Sequence, residues 1–303
     1  MAAGCRRRVV VKTGFLAGEH SRGRCFLREQ RLFYGIAAGG SSLLCPAFAL
    51  NLDRKPMQNR LIAPLRQFLY SALTLLVCLY MSWHALLSVD FFYGFWHDNV
   101  GIAENIAEMG PQNRYRQGFE DTERAERLAV FGEICRAISN GGEGLADIHY
   151  TGPSGQPVPL LHRAEIIHLQ DVANLVTTTQ TLKPWVVALW LGVVVLFLYR
   201  RWAFPGYRRL LLLYSGAIAI AVVAVLSVGW VEIFYAAHRW VFPDDHQWFF
   251  YYQDSLMSTM MKAPDLFLYI GVTLLLLALL LFVLMHQALM TASRRRNTCA
   301  PPR

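Results

Sequence analysis

Four long runs of apolar residues dominate the pattern of hydrophobic and polar positions along this chain. They lie at about 67–89, 185–199, 210–235 and 266–290. A helix that crosses the hydrocarbon core of a bilayer needs roughly 20 mainly apolar residues. The second run is shorter, but Trp185, Trp190 and Trp202 suit ends at the bilayer interface. The pattern therefore predicts a mainly α-helical membrane protein with four transmembrane helices.

The segment between the first two runs, residues 91–184, has patterns of its own. "DTERAERLAVFGEICRAISN" has the periodicity of an amphipathic helix and ends at two glycines. "ADIHYTGPSGQPVPLLH" reads as a strand, a Gly/Pro turn and a second apolar run, which predicts a hairpin. "RAEIIHLQDVANLV" is helical again, and Pro184 then suits the first turn of the second span. We expect a small mixed α/β domain here.

Composition agrees with a membrane protein, and charge indicates its orientation. The chain of 303 residues is 54% hydrophobic and only 17% charged, where about 25% charged is usual for soluble domains. Residues 1–66 hold twelve Lys and Arg, whereas 90–184 hold thirteen acidic against seven basic residues. By the positive-inside rule, both termini are cytoplasmic and the 91–184 domain is extracytoplasmic. The net charge of +8 thus reports topology and gives no reason to expect a nucleic-acid partner.

The remaining boundaries follow from the same patterns. Residues 1–56 are Arg- and Gly-rich and poorly periodic, so we expect a disordered basic extension or a start assigned too early. Residues 57–90 then form the first span, and 185–292 form three spans with an outer aromatic loop at 236–265. Residues 293–303 form a basic cytoplasmic tail. The Cys and His spacings are not those of a zinc site, so no metal is predicted.

Chemistry is first suggested by "EIIHLQDV" in the outer segment. Glu165, His168 and Asp171 are three residues apart, so they form one stripe on a helix. A carboxylate beside an imidazole fixes its tautomer and raises its basicity, as a general base requires. The alternative interpretation is a solvated polar face on a surface helix.

A second group lies in "HRWVFPDDHQWFFYYQDS", residues 238–255. An interfacial belt explains its aromatic residues. It does not explain His238, Asp245 and His246, because polar groups near the membrane cost free energy unless they are paired. Two His/Asp groups at one outer membrane surface indicate a shared site, with His162 and His246 as second choices. Arg239 and Lys262 could bind an oxyanion or a lipid phosphate.

The order of these motifs resembles the bacterial lipoprotein intramolecular transacylase family of four-span membrane proteins. The resemblance covers about residues 62–292, and "E-x-x-H-x-x-D-V" and the His at the exit of the third span are its most specific parts. It implies an enzyme of the bacterial inner membrane with an extracytoplasmic active site. Such an enzyme moves an acyl chain from the glyceryl sn-2 ester of a diacylglyceryl lipoprotein to the α-amino group of its N-terminal cysteine, giving the lyso form.

The same resemblance implies the roles of individual residues. His168 and His238 would be catalytic, as a general acid/base pair. The supporting residues would be Asp171, Glu165, Asp245 and Asp254. The substrate- and lipid-binding residues would be Trp248, Phe242, Arg239 and Trp240.

The predicted partners are the diacylglyceryl lipoprotein and membrane lipid, with no cofactor; the oligomeric state is left open. Two other functions are compatible with four spans and several histidines. One is a membrane redox protein with haem bound by His, although axial pairs usually lie inside the spans. The other is a non-catalytic scaffold or transporter. It predicts that replacing His168 or His238 leaves function intact.

Overall fold

The structure is a computed structural model that describes residues 57–243 and 245–298, and it is built mainly from helices. The extension predicted at 1–56 lies outside the described residues. The helices are α1 (Met57–Leu87), α2 (Tyr93–Asn99), α3 (Ile102–Met109), α4 (Arg124–Ser139), α5 (Arg163–Tyr199), α6 (Tyr207–Val228), α7 (Trp230–Val241), α8 (Leu256–Met261) and α9 (Asp265–Thr298). Short 3-10 turns lie at Asp90–Phe92, Gly110–Gln112, Leu145–Asp147 and Tyr252–Asp254.

Helices α1, α5, α6 and α9 are long and apolar enough to cross a membrane. This confirms the prediction of four helices that are candidates to span a membrane. The apolar surface of α6 is bare: Leu212, Ile220 and Leu226 are 75%, 73% and 81% exposed. Such a surface is stable when lipid covers it, and the helix satisfies its own backbone hydrogen bonds as lipid requires. The chain is therefore a multi-pass membrane protein, and the sidedness of its termini remains a prediction.

The segment between α1 and α5 contains the predicted hairpin. Strands β1 (His149–Thr151) and β2 (Pro157–Pro159) pair antiparallel, with Tyr150 opposite Val158. Beside them, Tyr93 of α2 stacks on Phe131 of α4 with ring centroids 4.0 Å apart. Buried residues of α8 and the first turn of α9 belong to the same apolar core. This part of the chain and the 256–266 segment are thus packed as one body.

Helix α5 runs without interruption through Pro184, where the sequence predicted the start of a new helix. Proline removes one backbone N–H from a helix, but helices that enter a membrane tolerate this loss when neighbouring groups satisfy the freed carbonyl. His168 and the second span consequently lie on a single helix of 37 residues.

The third apolar run is divided, where an unbroken helix over 210–235 was predicted. Gly229 ends α6 with φ +89°, a backbone conformation that costs glycine least, and α7 begins at the next residue. The stretch predicted as an outer loop, 236–265, contains the end of α7 and the whole of α8. The break makes α7 a separate short helix, and this helix carries His238.

Candidate functional site

Two imidazoles from separate helices lie beside each other. The ring centroids of His168 on α5 and His238 on α7 are 6.2 Å apart, with a 33° angle between the ring planes. The Phe242 ring lies 4.8 Å from the His168 ring and 5.2 Å from the His238 ring. The fold therefore brings together the two histidines that the sequence analysis selected, with an aromatic ring against both.

The tautomer of His238 follows from its hydrogen bond. Its Nδ1 lies 2.8 Å from the backbone carbonyl oxygen of Phe234. A carbonyl only accepts, so Nδ1 carries the proton and Nε2 of the neutral ring presents a lone pair. Burial lowers the pKa of His238, and the bond to the Phe234 carbonyl opposes only part of that shift. His238 is therefore a neutral base at neutral pH.

His168 is more deeply buried and less constrained. It is 8% exposed, and its buried Nδ1 has no hydrogen-bond partner among the described residues. Phe250 packs 6.0 Å from its ring, between centroids. Buried polar atoms are nearly always paired in folded proteins, so an unpaired ring nitrogen requires a specific explanation. The explanation that fits the surroundings of His168 is a hydrogen-bond partner supplied by a bound substrate.

Both imidazoles line one cavity of about 410 Å³. Its walls come mainly from aromatic and aliphatic side chains of α5, α7, the 242–250 stretch and the start of α9. Trp83 of α1 and Ser258 of α8 also reach it. None of the described lining residues is Asp, Glu, Lys or Arg. The cavity thus presents two imidazoles to a mainly apolar space, in which Tyr235 and Ser258 are the other polar side chains among its described lining residues, and such a lining suits an acyl chain.

The predicted supporting carboxylates do not line the cavity, and those of Glu165 and Asp171 accept hydrogen bonds from groups other than His168 and His238. Glu165 is 1% exposed and accepts hydrogen bonds from Ser255 Oγ (2.5 Å) and the backbone N–H groups of Met257 (3.1 Å) and His162 (2.7 Å). It joins the first turn of α5 to the first turn of α8. Glu165 therefore joins two helices of the fold, and its carboxylate makes no hydrogen bond to the His168 or His238 ring among the described residues.

Asp171 also differs from expectation. Its Oδ2 accepts from His246 Nδ1 at 2.6 Å, and its carboxylate makes no hydrogen bond to His168 among the described residues. The carboxylate is thus paired with the histidine that the sequence analysis ranked second. Local spacing placed Asp171 and His168 on one face of α5, but the nearest donor comes from another part of the chain.

Of the other predicted residues, one lines the cavity and four do not. Trp248 lines the cavity with its ring 5.3 Å from that of His238. Asp254 forms an ion pair with Arg114 at 3.0 Å, and Asp245 is exposed. Neither lines the cavity. Arg239 and Trp240 do not line it either; Trp240 is 88% exposed, where it would meet lipid.

His162, the other second choice, caps α5. Its Nδ1 accepts from the Ala164 N–H, and its Nε2 donates to the Asp254 carbonyl at 2.9 Å. Both ring nitrogens are therefore occupied within the fold. Sequence analysis did not select the other lining residues, among them Trp83, Phe250 and Ser258, because no local pattern indicates which side chains meet in one cavity. Among the described residues, no three His, Cys, Asp or Glu side chains are grouped so as to hold a metal ion.

Comparison with known proteins agrees with this fold. The family model for the lipoprotein intramolecular transacylase Lit matches residues 154–267. The solved membrane integral lipoprotein intramolecular transacylase Lit of Bacillus cereus is 16% identical, with a TM-score of 0.54 over 80% of this chain and 100% of that one. A histidine-to-arginine variant of the same protein gives 0.53 at 16% identity, over 79% and 96%. No curated protein matches in sequence.

The matched stretch includes α5, α7 and α8, the helices that form the cavity. Over residues 154–267 the chain is similar to the lipoprotein intramolecular transacylase family, and its fold is similar to that of the solved Bacillus cereus transacylase.

Proposed function

We propose that the protein moves the sn-2 acyl chain of a diacylglyceryl lipoprotein to the α-amino group of the N-terminal cysteine, with His168 and His238 as general acid and base. The observation that carries this proposal is the convergence of the two imidazoles on one uncharged apolar cavity. An acyl chain fits such walls, and two titratable rings at the same wall are what a proton-coupled acyl transfer needs.

The proton balance of the reaction matches the two rings. The amine nitrogen attacks the ester carbonyl carbon, an N–C bond forms and the bond from that carbon to the glyceryl oxygen breaks. His238 Nε2, which has a free lone pair because Nδ1 is committed to Phe234, takes the proton from the amine. His168 protonates the departing glyceryl oxygen from one ring nitrogen while its other nitrogen receives the proton held by the His238 imidazolium, through a bridging substrate group because the ring centroids are 6.2 Å apart. One proton thus moves from the amine to the glyceryl oxygen, and both rings end neutral. The transfer consumes no cofactor.

Two further properties of the site support the proposal. Amine and ester belong to one molecule, so a cavity that holds them in attack geometry supplies much of the rate. The cavity walls also keep water from competing with the amine for the ester carbon. We place the site on the extracytoplasmic face of the bacterial inner membrane because the basic segments lie at the opposite ends of the spans.

The test is mass spectrometry of the N-terminal peptide of a lipoprotein, from a host that makes only the diacylglyceryl form. The wild-type protein should give an isomer of unchanged mass with one acyl group amide-linked. In His238→Asn, the amide can still donate to the Phe234 carbonyl but Nε2 is gone. We expect turnover to fall by about 10²- to 10⁴-fold, the usual contribution of general acid–base catalysis.

His149→Asn is the matched control, because His149 is exposed and lines no part of the cavity. Full turnover in His168→Ala or in His238→Asn would overturn the catalytic role proposed for that histidine, and a wild-type protein that converts no lipoprotein would favour a scaffold or transporter. A product with an added acyl group would indicate a phospholipid donor. A Soret absorbance band in the purified protein would indicate the haem alternative.

A further inference from the structure

The stretch 245–250, which we call the aromatic segment, forms one wall of the cavity. Trp248, Phe249 and Phe250 from this segment line it. The Trp248 ring lies 5.3 Å from the His238 ring, and the Phe250 ring lies 6.0 Å from the His168 ring. Both imidazoles are therefore covered by side chains of the aromatic segment, and its position sets how each ring is shielded from water.

One side-chain hydrogen bond connects the aromatic segment to another element within the described residues. It is the bond from His246 Nδ1 to Asp171 Oδ2, at 2.6 Å. The segment's other hydrogen bonds are local: His246 N–H to the Pro243 carbonyl, and Gln247 Nε2 to the Phe249 carbonyl. This pair is the side-chain bond that joins the segment itself to α5; four to five residues after the segment, the chain is held to the start of α5 by the bonds of Asp254 to His162 and of Ser255 to Glu165.

The helix that accepts this bond is the one that carries His168. Asp171 follows His168 by three residues on α5, so the two lie on neighbouring positions of one face. A bond at Asp171 therefore positions the segment directly relative to the His168 ring. Positioning within a fraction of an ångström matters here, since a displacement of about 1 Å can cost about 10²-fold in rate.

We propose that Asp171 and His246 are positioning residues for the transfer reaction, and that Asp171 acts through His246 and the aromatic segment instead of on His168. This proposal rests on the proposed function. It assigns no proton transfer to either residue. Their pairing holds Trp248 and Phe250 over the imidazoles, which keeps the rings in place and water out.

Electrostatics adds a pH dependence to this pairing. The hydrogen bond to Asp171 raises the pKa of His246, and the charge of Asp245 acts in the same direction. Among the described residues, Asp171 and Asp245 are the charged groups that act on His246. The pair is therefore charge-assisted below the raised pKa. As the pH rises through that value, the bond loses the charge of the imidazolium and weakens.

The experiment compares Asp171→Asn, His246→Ala, His246→Asn and the double variant Asp171→Asn/His246→Ala in the lipoprotein assay. We expect His246→Ala to lower kcat by about tenfold to a hundredfold and to release free fatty acid, because water reaches the ester. His246→Asn, whose amide can still donate to Asp171, should restore most of the activity. Its turnover should also lack the alkaline decline of the wild type, because the amide does not titrate.

The double variant separates the two roles of Asp171. If Asp171 acts through His246, the double variant is no worse than the more impaired single variant. An Asp171→Asn loss far beyond that of His246→Ala would show that Asp171 acts on His168 and would overturn the inference. Wild-type turnover in His246→Ala would do the same.

Controls identify the cause of a negative result. Glu108→Gln and His149→Asn alter exposed groups that do not line the cavity, and melting temperatures in detergent show whether each variant is folded. If His238→Asn is fully active, the proposed function fails. If His238→Asn is inactive while His246→Ala matches the wild type, only the positioning inference fails.

Discussion

Replacing Glu165 tests whether the first residue of the "E-x-x-H-x-x-D" stripe serves the fold or the chemistry. Its carboxylate is 1% exposed and accepts three hydrogen bonds, from Ser255 Oγ, Met257 N–H and His162 N–H. In Glu165→Ala these three donors lose their acceptor. In Glu165→Gln one carboxylate oxygen becomes an amide nitrogen, which cannot accept from a backbone N–H.

The magnitude follows from the number of donors left unpaired. A buried donor without a partner costs about 1–3 kcal/mol, so three of them, with some relaxation, should lower the free energy of unfolding by about 3–5 kcal/mol. For a chain of this size, 1 kcal/mol corresponds to about 2–4 °C in melting temperature. Glu165→Ala should therefore melt about 6–20 °C lower than the wild type, and Glu165→Gln about 2–12 °C lower.

The assay follows heat unfolding of the detergent-solubilised protein by tryptophan fluorescence and measures lipoprotein conversion well below the transition. We expect the folded fraction of Glu165→Gln to keep most of the wild-type turnover, because Glu165 does not line the cavity. Glu108→Gln, an exposed replacement of the same kind, is the control for loss of a charge. An unchanged melting temperature with turnover lost would refute the reasoning and give Glu165 a chemical role.

Three further outcomes are expected. Burial lowers the pKa of His238, so turnover should decline on the acidic side at a pH below the usual histidine pKa of about 6.5. The contribution of His238 to the free energy of unfolding should be full above a pH of about 6.5 and lost as the pH falls through the lowered pKa. An acidic decline of turnover above that pH would contradict the prediction. Phe242→Ala should uncover both imidazoles and raise fatty-acid release relative to transfer, which chromatography of the released lipid measures. Tyr70→Phe should lower the free energy of unfolding by about 1–3 kcal/mol, since it leaves buried His286 Nδ1 without its partner at 2.9 Å. Turnover should not change in that variant.

Secondary structure was largely predictable because its signals are local. An apolar run long enough to cross a bilayer becomes a helix whatever surrounds it, since lipid offers no other partner for the backbone. The hairpin followed from a Gly/Pro turn between two apolar runs, and α4 from its periodicity. Two local signals were misread: Pro184 did not begin a helix, and Gly229 divided one. Whether a helix continues through such a residue depends on whether neighbouring residues hydrogen-bond to the backbone groups that lose their helical partners.

The partners of the polar side chains were not predictable in the same way. Spacing on α5 put Glu165, His168 and Asp171 on one stripe, and nothing in that stripe indicates that the outer two bond to other segments. Glu165 is directed to the first turn of α8, and Asp171 to His246. Such pairs depend on which distant segment packs against the helix, and packing is a property of the whole fold.

The sequence alone predicted four helices long and apolar enough to cross a membrane and selected the histidines and carboxylates, because apolar length and residue type are properties of single segments. Only the tertiary structure decided which of these groups share a space. It set the His168 and His238 rings 6.2 Å apart in an uncharged cavity and directed the carboxylates of Glu165 and Asp171 to other partners. The reason is physical: a side chain's environment is set by the elements packed around it, and those elements are far apart along the chain.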